Sequence, residues 1–389
     1  MSEPVISMND FQRQTLLTDQ NTLKGMDGLR FPLLGLYGEV GSLLSALKKK
    51  QRDQASYVGY QQNILEELGD VLWYFANIAA RVNLDLSVLA QRMSRDSKHS
   101  ETELHKLGTF GEIQPLSPPS ERSNSLAFEQ RLIELAGKVG RLLDDVAVGR
   151  TEQNRDALAE HLVEILRALI HAADDAGIDL DNAARRNIEK TLSRWPTDRT
   201  FPALFDEEDD PEEQLPRYIE MNILERVSSG KVYVRQQCNG INIGDPLTDN
   251  KAEEDDYRFH DVFHLAHAAI LGWSPVVRAL FKVKRKSRPK TDENEDGARA
   301  LLVEEGISTW IFSHATRLDY FKSIDRLDYP LLKAIHEQVA GYEVERCALW
   351  LWEKAILDGY AVFRSLRVQR RGLVIADLRA RTISFKTLS

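Results

Sequence analysis

Cysteine is scarce in this chain: Cys238 and Cys347 are all it has in 389 residues. Two cysteines cannot build a disulfide framework, which suits a reducing compartment. No apolar run reaches the roughly 20 residues that a membrane span needs. The opening Met1-Ser2-Glu3-Pro4 lacks the basic and apolar regions of a signal peptide. A cytoplasmic protein with no membrane partner is expected. Positive charge is not in excess either. The net charge of −9 argues against a general nucleic-acid-binding surface.

Helical periodicity is plentiful. Leu65, Leu68, Leu72 and Phe75 recur at helix spacing through Ile64 to Phe75. Into that apolar setting fall Glu67 and Asp70. Residues three apart share a helix face, so two like charges point the same way. Near a core they are costly unless a cation lies between them, and a hard divalent ion, Mg²⁺ or Mn²⁺, suits oxygen ligands. Upstream, Leu36, Val40, Leu43, Leu44 and Leu47 form the stripe of another helix, in which Glu39 is the one acid. Gly38 and Gly41 in that helix predict close approach of a neighbour.

The pair Gly38-Glu39-Val40-Gly41-Ser42 and Glu67-Leu68-Gly69-Asp70, followed by Val71-Leu72-Trp73-Tyr74, resembles the MazG-like all-alpha nucleotide pyrophosphohydrolase family. In that family ExxE on one helix and ExxD on the next hold Mg²⁺ on a triphosphate. The resemblance implies a four-helix bundle over residues 1–106 that cleaves a nucleoside triphosphate between its α and β phosphates. Glu39, Glu67 and Asp70 would be metal ligands and catalytic residues. Ser42 stands where the family has its second Glu, leaving three carboxylates of four. Glu66 lies about 100° round the helix from Glu67 and is not expected to replace it. Lys48 or Lys49 is placed to reach a phosphate. Asn77 either contacts sugar or base or is a polar residue on a partly buried helix.

The bundle's helices are expected at 8–21, about 30–52, about 58–82, and through Leu89 and Met93. Residues 107–124, rich in Gly, Pro and Ser, read as a linker. Residues 125–197 look like a second, degenerate copy. Leu135 to Leu143 parallels Leu36 to Leu44, and Ala176-Gly177-Ile178-Asp179-Leu180 parallels Val82-Asn83-Leu84-Asp85-Leu86. In that register Glu39 becomes Lys138, Ser42 becomes Arg141, Glu67 becomes His161 and Asp70 becomes Glu164. The copy should not bind Mg²⁺. It reads as an internal pseudo-dimer partner, with Lys138 and Arg141 either structural or aimed at a phosphate, and a further homodimer left open.

Residues 198–216, with the run Asp206 to Glu213, read as an extended acidic linker. Residues 217–389 form a mostly helical C-terminal domain. It carries a β-hairpin about Asn239-Gly240, helices at about 256–272, 295–318 and 328–359, and short strands after Arg367. This region resembles the C-terminal region that accompanies MazG domains. His260, His264 and His267 lie at i, i+4 and i+7 of one helix face. His–x₃–His is a ligand spacing for Zn²⁺ or Fe²⁺, although the adjacent Glu of HExxH is lacking. Glu304 and Glu305 offer a carboxylate ligand or a general base. The basic run containing Lys284 and Arg285 reads either as a phosphate grip or as a solvated loop balancing nearby acids. Packed, hydrogen-bonded histidines are the bland alternative.

The fold class expected is therefore mainly α. Two functional rivals accompany the hydrolase. One is a nucleotide sensor, weakened by Ser42, in a stress or phage-defence protein. The other is a His- or metal-dependent C-terminal enzyme acting on nucleotides or nucleic acid.

Overall fold

A computed structural model describes residues 5–23, 25–95, 108–114, 126–150 and 154–388. The chain is mainly helical with a small antiparallel sheet toward its C-terminus, as the periodicity predicts. It divides into two compact units, Met1–Thr197 and Asp198–Ser389. No helix among the described residues is long and apolar enough to cross a membrane.

The first unit is helical throughout and has one continuous apolar core. Helices α1 (Met8–Thr18), α2 (Gly25–Asp53), α3 (Tyr60–Arg81) and α4 (Leu86–Arg95) are followed by the single turn α5 (Phe110–Ile113). Then come α6 (Leu126–Ala147), α7 (Arg155–Ala176) and α8 (Leu180–Arg194). Ser7 caps α1 by accepting from Asp10 N–H, and Asn154 caps α7 by accepting from Ala157 N–H.

The two halves of this unit make the same hydrogen bonds at corresponding places. Gln12 Nε2 donates to Leu84 O at 2.8 Å and Gln12 Oε1 accepts from Leu86 N–H at 3.2 Å. Gln114 does likewise with Ile178 O at 2.7 Å and Leu180 N–H at 2.9 Å. The turn after α3 puts Asn83 at φ 56° and returns Leu84 N–H to Ala79 O. The turn after α7 puts Gly177 at φ 67° and returns Ile178 N–H to Ala173 O. Both are left-handed helix C-caps. Ser7 and Thr109, which cap α1 and α5, bridge each other antiparallel, and the rings of Phe11 and Phe110 meet edge to face at 5.5 Å.

Residues 108–114, expected within a linker, are therefore packed: Phe110 is buried because its ring completes the core between the halves. The rest of that expected linker, 107 and 115–124, lies outside the described residues.

The glycine expectation also needs correction. A Cβ at Gly38 or Gly41 would meet nothing within 4 Å. The close approaches are at Gly35, where a Cβ would lie 2.2 Å from the Tyr74 ring, and at Gly69, where it would lie 2.8 Å from Ala183 O of α8.

The second unit pairs a sheet with helices. Strands β1 (Tyr218–Ser228), β2 (Lys231–Cys238) and β3 (Ile241–Leu247) are joined by β4 (Arg371–Asp377) and β5 (Thr382–Lys386), in the order β3-β2-β1-β4-β5, all antiparallel. The expected hairpin is present. Asn239 and Gly240 both have positive φ, at 51° and 78°, which suits a tight turn of the I′ type. The hairpin is two strands of five because β1 and the C-terminal strands extend it.

Its helices are α9 (Asp261–Ala266), continued by a π-helical turn His267–Leu271, α10 (Pro275–Phe281), α11 (Pro289–Asn294), α12 (Ala298–Ala315), α13 (Tyr329–Gln338) and α14 (Leu349–Gln369). The expected helix at 328–359 is thus broken, with Gly341 at φ 86° between α13 and α14.

The acidic stretch 198–216 is not an extended linker. Asp206 is fully buried, accepts from Leu215 N–H, and pairs at 2.7 Å with both Arg217 and Arg278. Arg278 reaches Asp296 at 3.6 Å, and Asp296 pairs with Arg285 at 2.7 Å. Like charge repels along the chain, but here the arginines of the folded unit offset it.

Two predictions follow the packing. Gly69→Ala lowers the stability of the first unit by about 1–3 kcal/mol through overpacking, whereas Gly38→Ala leaves it unchanged or raises it by about 0.5–1 kcal/mol through helix propensity. Denaturant midpoints compare the two. Asp206→Ala strands buried arginine charge and costs about 3–5 kcal/mol, read as an early unfolding transition of the second unit.

Candidate functional site

Glu39 on α2 and Glu67 and Asp70 on α3 come together, with one carboxylate oxygen from each within 4.8 Å of the others. Apolar faces of both helices go into the core, so the three acids are half-buried at its edge. Burial, a hydrogen bond with Glu39 and the charges of Glu39, Asp70 and Glu66 push Glu67 up to about 8. Asp70 is pushed up to about 6 by burial, against the pull of Lys190.

Two residues that the sequence reading did not single out complete this cluster. Asn187 Nδ2 donates to Asp70 Oδ1 at 2.7 Å, and the Lys190 ammonium pairs with the same carboxylate and lies 3.5 Å from Glu66. Both come from α8, in the second half of the unit. Gly69 allows this approach, since a Cβ there would also lie 3.0 Å from Asn187 Cβ. The signal was present in the sequence: Asn187 and Lys190, three apart, share a face of the last helix of the first unit.

One lysine against three acids leaves excess negative charge. A shared proton or a divalent cation resolves it, and an all-oxygen donor set suits Mg²⁺ or Mn²⁺. Residues Glu39, Glu67 and Asp70 fit such an ion.

The counterpart positions of the second half also converge. Lys138, Arg141, His161 and Glu164 line a cleft of about 320 Å³. Lys138 Nζ is 2.5 Å from Glu164, and His161 is 2.8 Å from Asp145. Ion pairing is internal there, with Lys138 where the first half has Glu39 and Arg141 where it has Ser42.

Lys48 and Lys49 are exposed on α2, about 14 and 15 Å along the helix axis from Glu39, and stand apart from the acids. Asn77 is fully buried and donates to Trp73 O at 3.0 Å. Its place in the core overturns the sugar- or base-contact reading and supports the alternative.

In the second unit His260, Asp261 and His264 gather, as do His264, His267 and Glu304. Glu305 Oε2 lies 3.5 Å from His264 and 3.9 Å from His260. Arg285 does not face a ligand. It is buried, with Asp296 and Glu343 on its guanidinium, so the phosphate-grip reading fails at that residue. Lys284 beside it is half-buried.

Comparison with known proteins places the second unit. Residues 200–389 match the family model of the MazG C-terminal domain, which supports a MazG-associated C-terminal domain and a MazG-related function. Over 69 residues the chain is 35% identical to the Gene 37 protein of Mycobacterium phage L5. That match covers 17% of this chain and 60% of the phage protein, less than two thirds of its length. No solved structure matches.

With divalent ions chelated, the first unit should gain stability as pH falls from about 8 toward about 4.5. In that window the folded chain keeps the Glu67 proton that the unfolded chain, with a value near 4.5, releases. Above about 8 neither state holds it and the gain is lost. Melting temperatures across this window check the sign, and Glu67→Gln should flatten the slope.

Proposed function

We propose that the first unit is a Mg²⁺-dependent nucleoside triphosphate pyrophosphohydrolase that cleaves between the α and β phosphates to give a monophosphate and pyrophosphate. The convergence of Glu39, Glu67 and Asp70 on two packed helices carries this reading. The MazG C-terminal match over the second unit supports it.

Glu39, Glu67 and Asp70 would hold the ion. When bound, it would supply charge neutralisation for the triphosphate and a more acidic attacking water. Burial and the neighbouring acids favour the protonated form of Glu67, which would have to give up that proton to serve as a ligand. Glu39 or Glu67 then orients the water. Asn187 and Lys190 fix the Asp70 carboxylate, so the ligand set is pre-organised by the other half of the unit. Exposed Lys48 and Lys49 contribute a positive approach for the phosphates.

The matched hydrogen bonds of Gln12 and Gln114 support reading the first unit as two MazG-like copies forming an internal pseudo-dimer, the second extending beyond 125–197 to take in residues 108–114. Ser42, in place of a fourth acid, supports a second reading: a sensor that binds nucleotide without turnover, as would suit a stress or phage-defence protein.

Product analysis with Mg²⁺ and a panel of ribo- and deoxyribonucleoside triphosphates separates the two. The expected outcome is monophosphate plus pyrophosphate. Glu67→Gln with Asp70→Asn should cut the rate by roughly 100-fold or more, the scale of losing an electrostatic stabiliser. Nucleotide binding with no product would sink the hydrolase and favour the sensor.

A further inference from the structure

We infer that His260, Asp261, His264 and Glu305 form a second metal site, in the C-terminal unit, for a first-row transition-metal dication of the Zn²⁺ or Fe²⁺ kind. The inference stands apart from the proposed hydrolase, because it uses none of that unit's residues. His260 ends a turn that begins at Tyr257, Asp261 opens α9, and His264 follows one turn later. Glu305 enters from α12.

Donor atoms converge. His260 Nε2 is 3.2 Å from Asp261 Oδ1 and 3.9 Å from Glu305 Oε2, while His264 Nε2 is 3.5 Å from the same Glu305 oxygen. Two imidazole nitrogens and two carboxylate oxygens is a donor set suited to first-row transition metals, and the imidazoles make it a poor choice for Mg²⁺.

The surroundings orient these donors as ligands. His260 Nδ1 lies 2.8 Å from the carbonyl oxygen of Tyr257. A carbonyl only accepts, so Nδ1 carries the proton and Nε2 offers its lone pair to the cluster. The Tyr257 ring stacks on His260 at 4.3 Å and holds its plane. Gln236 donates to Asp261 Oδ2, leaving Oδ1 for the cluster.

Behind His264 stands Glu304, fully buried, with Oε1 at 3.1 Å from His264 Nδ1 and 3.0 Å from His267 Nδ1. Its other oxygen accepts from Ser274 Oγ and Val276 N–H, both at 3.0 Å. A carboxylate behind an imidazole whose far nitrogen faces a ligand cluster is the usual outer support of a metal-bound histidine.

The observation that separates a ligand cluster from packed histidines is His264 itself. It is fully buried, with the Glu304 carboxylate at 3.1 Å behind Nδ1, while Nε2 faces the cluster without a hydrogen bond of acceptable geometry. A buried ring nitrogen left without a well-formed partner is costly, and a metal at Nε2 would satisfy it directly. Access exists on one side only: the Glu305 side chain is 41% exposed, whereas those of His260 and Asp261 are 8% exposed.

The test uses the full chain carrying Glu67→Gln and Asp70→Asn, so that the acidic cluster of the first unit takes up no ion. Elemental analysis of the purified protein and titration of its metal-free form with Co²⁺, followed by visible absorption, with Zn²⁺ in competition, give stoichiometry and affinity. One Co²⁺ per chain, displaced by Zn²⁺, is expected. Glu305→Ala, at the exposed mouth, and Glu304→Gln, in the outer support, should each weaken binding by roughly 10–100-fold. An unchanged melting temperature of metal-free Glu305→Ala would show that its fold is kept. If the folded chain takes up neither Co²⁺ nor Zn²⁺, or if Glu305→Ala and Asp261→Asn leave uptake unchanged, the proposal is overturned. The histidines are then a buried charge pair with Glu304.

Discussion

A carboxylate taken out of water must meet a cation, a proton or a set of donors, and much of this protein follows from how that demand is met. In the second unit arginines meet it. Arg217, Asp206, Arg278, Asp296, Arg285 and Glu343 alternate in sign along one buried chain, and that alternation seats the acidic stretch 198–216 on the body of the unit. In the first unit it is met only in part. Glu39, Glu67 and Asp70 face a single ammonium, so the remaining demand falls on a proton at Glu67 or on a bound cation.

That imbalance is shaped by both halves of the first unit. Asp70 is held by Asn187 and Lys190, which α8 can deliver only because Gly69 has no side chain to keep it away. The second half shows the balanced alternative on the same frame. There Lys138 takes the position of Glu39 and neutralises Glu164 directly, leaving no vacancy for a cation. One half keeps unresolved charge, and the other supplies the helix that shapes it. A second half with fewer acids is compatible with an organised first half, because the shared core and the Gln12 and Gln114 hydrogen bonds do not involve the acids.

Periodicity made the helices legible, and the i, i+3 spacing of Glu67 and Asp70 made their shared face legible. The family resemblance then joined Glu39 to them. What periodicity cannot show is which neighbour a helix face meets. Gly38 and Gly41 looked like contact glycines, yet the contacts fall at Gly35 and Gly69, because the choice belongs to tertiary packing. The position of Asn77 along α3 allowed a sugar or base contact as well as a partly buried polar residue, and only the packing, which buries α3 on more than one face near its C-terminal end, separates them. The acidic run at 206–213 was misread because local charge repulsion was weighed without the distant Arg278. Strand β1 does have a local trace, the Ser229-Gly230 turn that joins it to β2, but its pairing with β4, some 150 residues further on, has none.

The two clusters differ in the kind of donor, and that difference decides what each can select. Three carboxylates and no imidazole favour a hard, strongly hydrated ion that keeps positions for phosphate oxygens. Two imidazoles with two carboxylates, backed by Glu304 and the Tyr257 carbonyl, favour a softer ion held more rigidly. A chain with both donor sets can discriminate between ions available in the same solution. Magnesium competes poorly for imidazole nitrogen, and the half-buried oxygen cluster offers a transition metal no soft ligand. Because each set lies within its own compact unit, the occupancy of one need not track that of the other. On the two proposed assignments, the chain stripped of transition metal is still expected to bind Mg²⁺ at Glu39, Glu67 and Asp70.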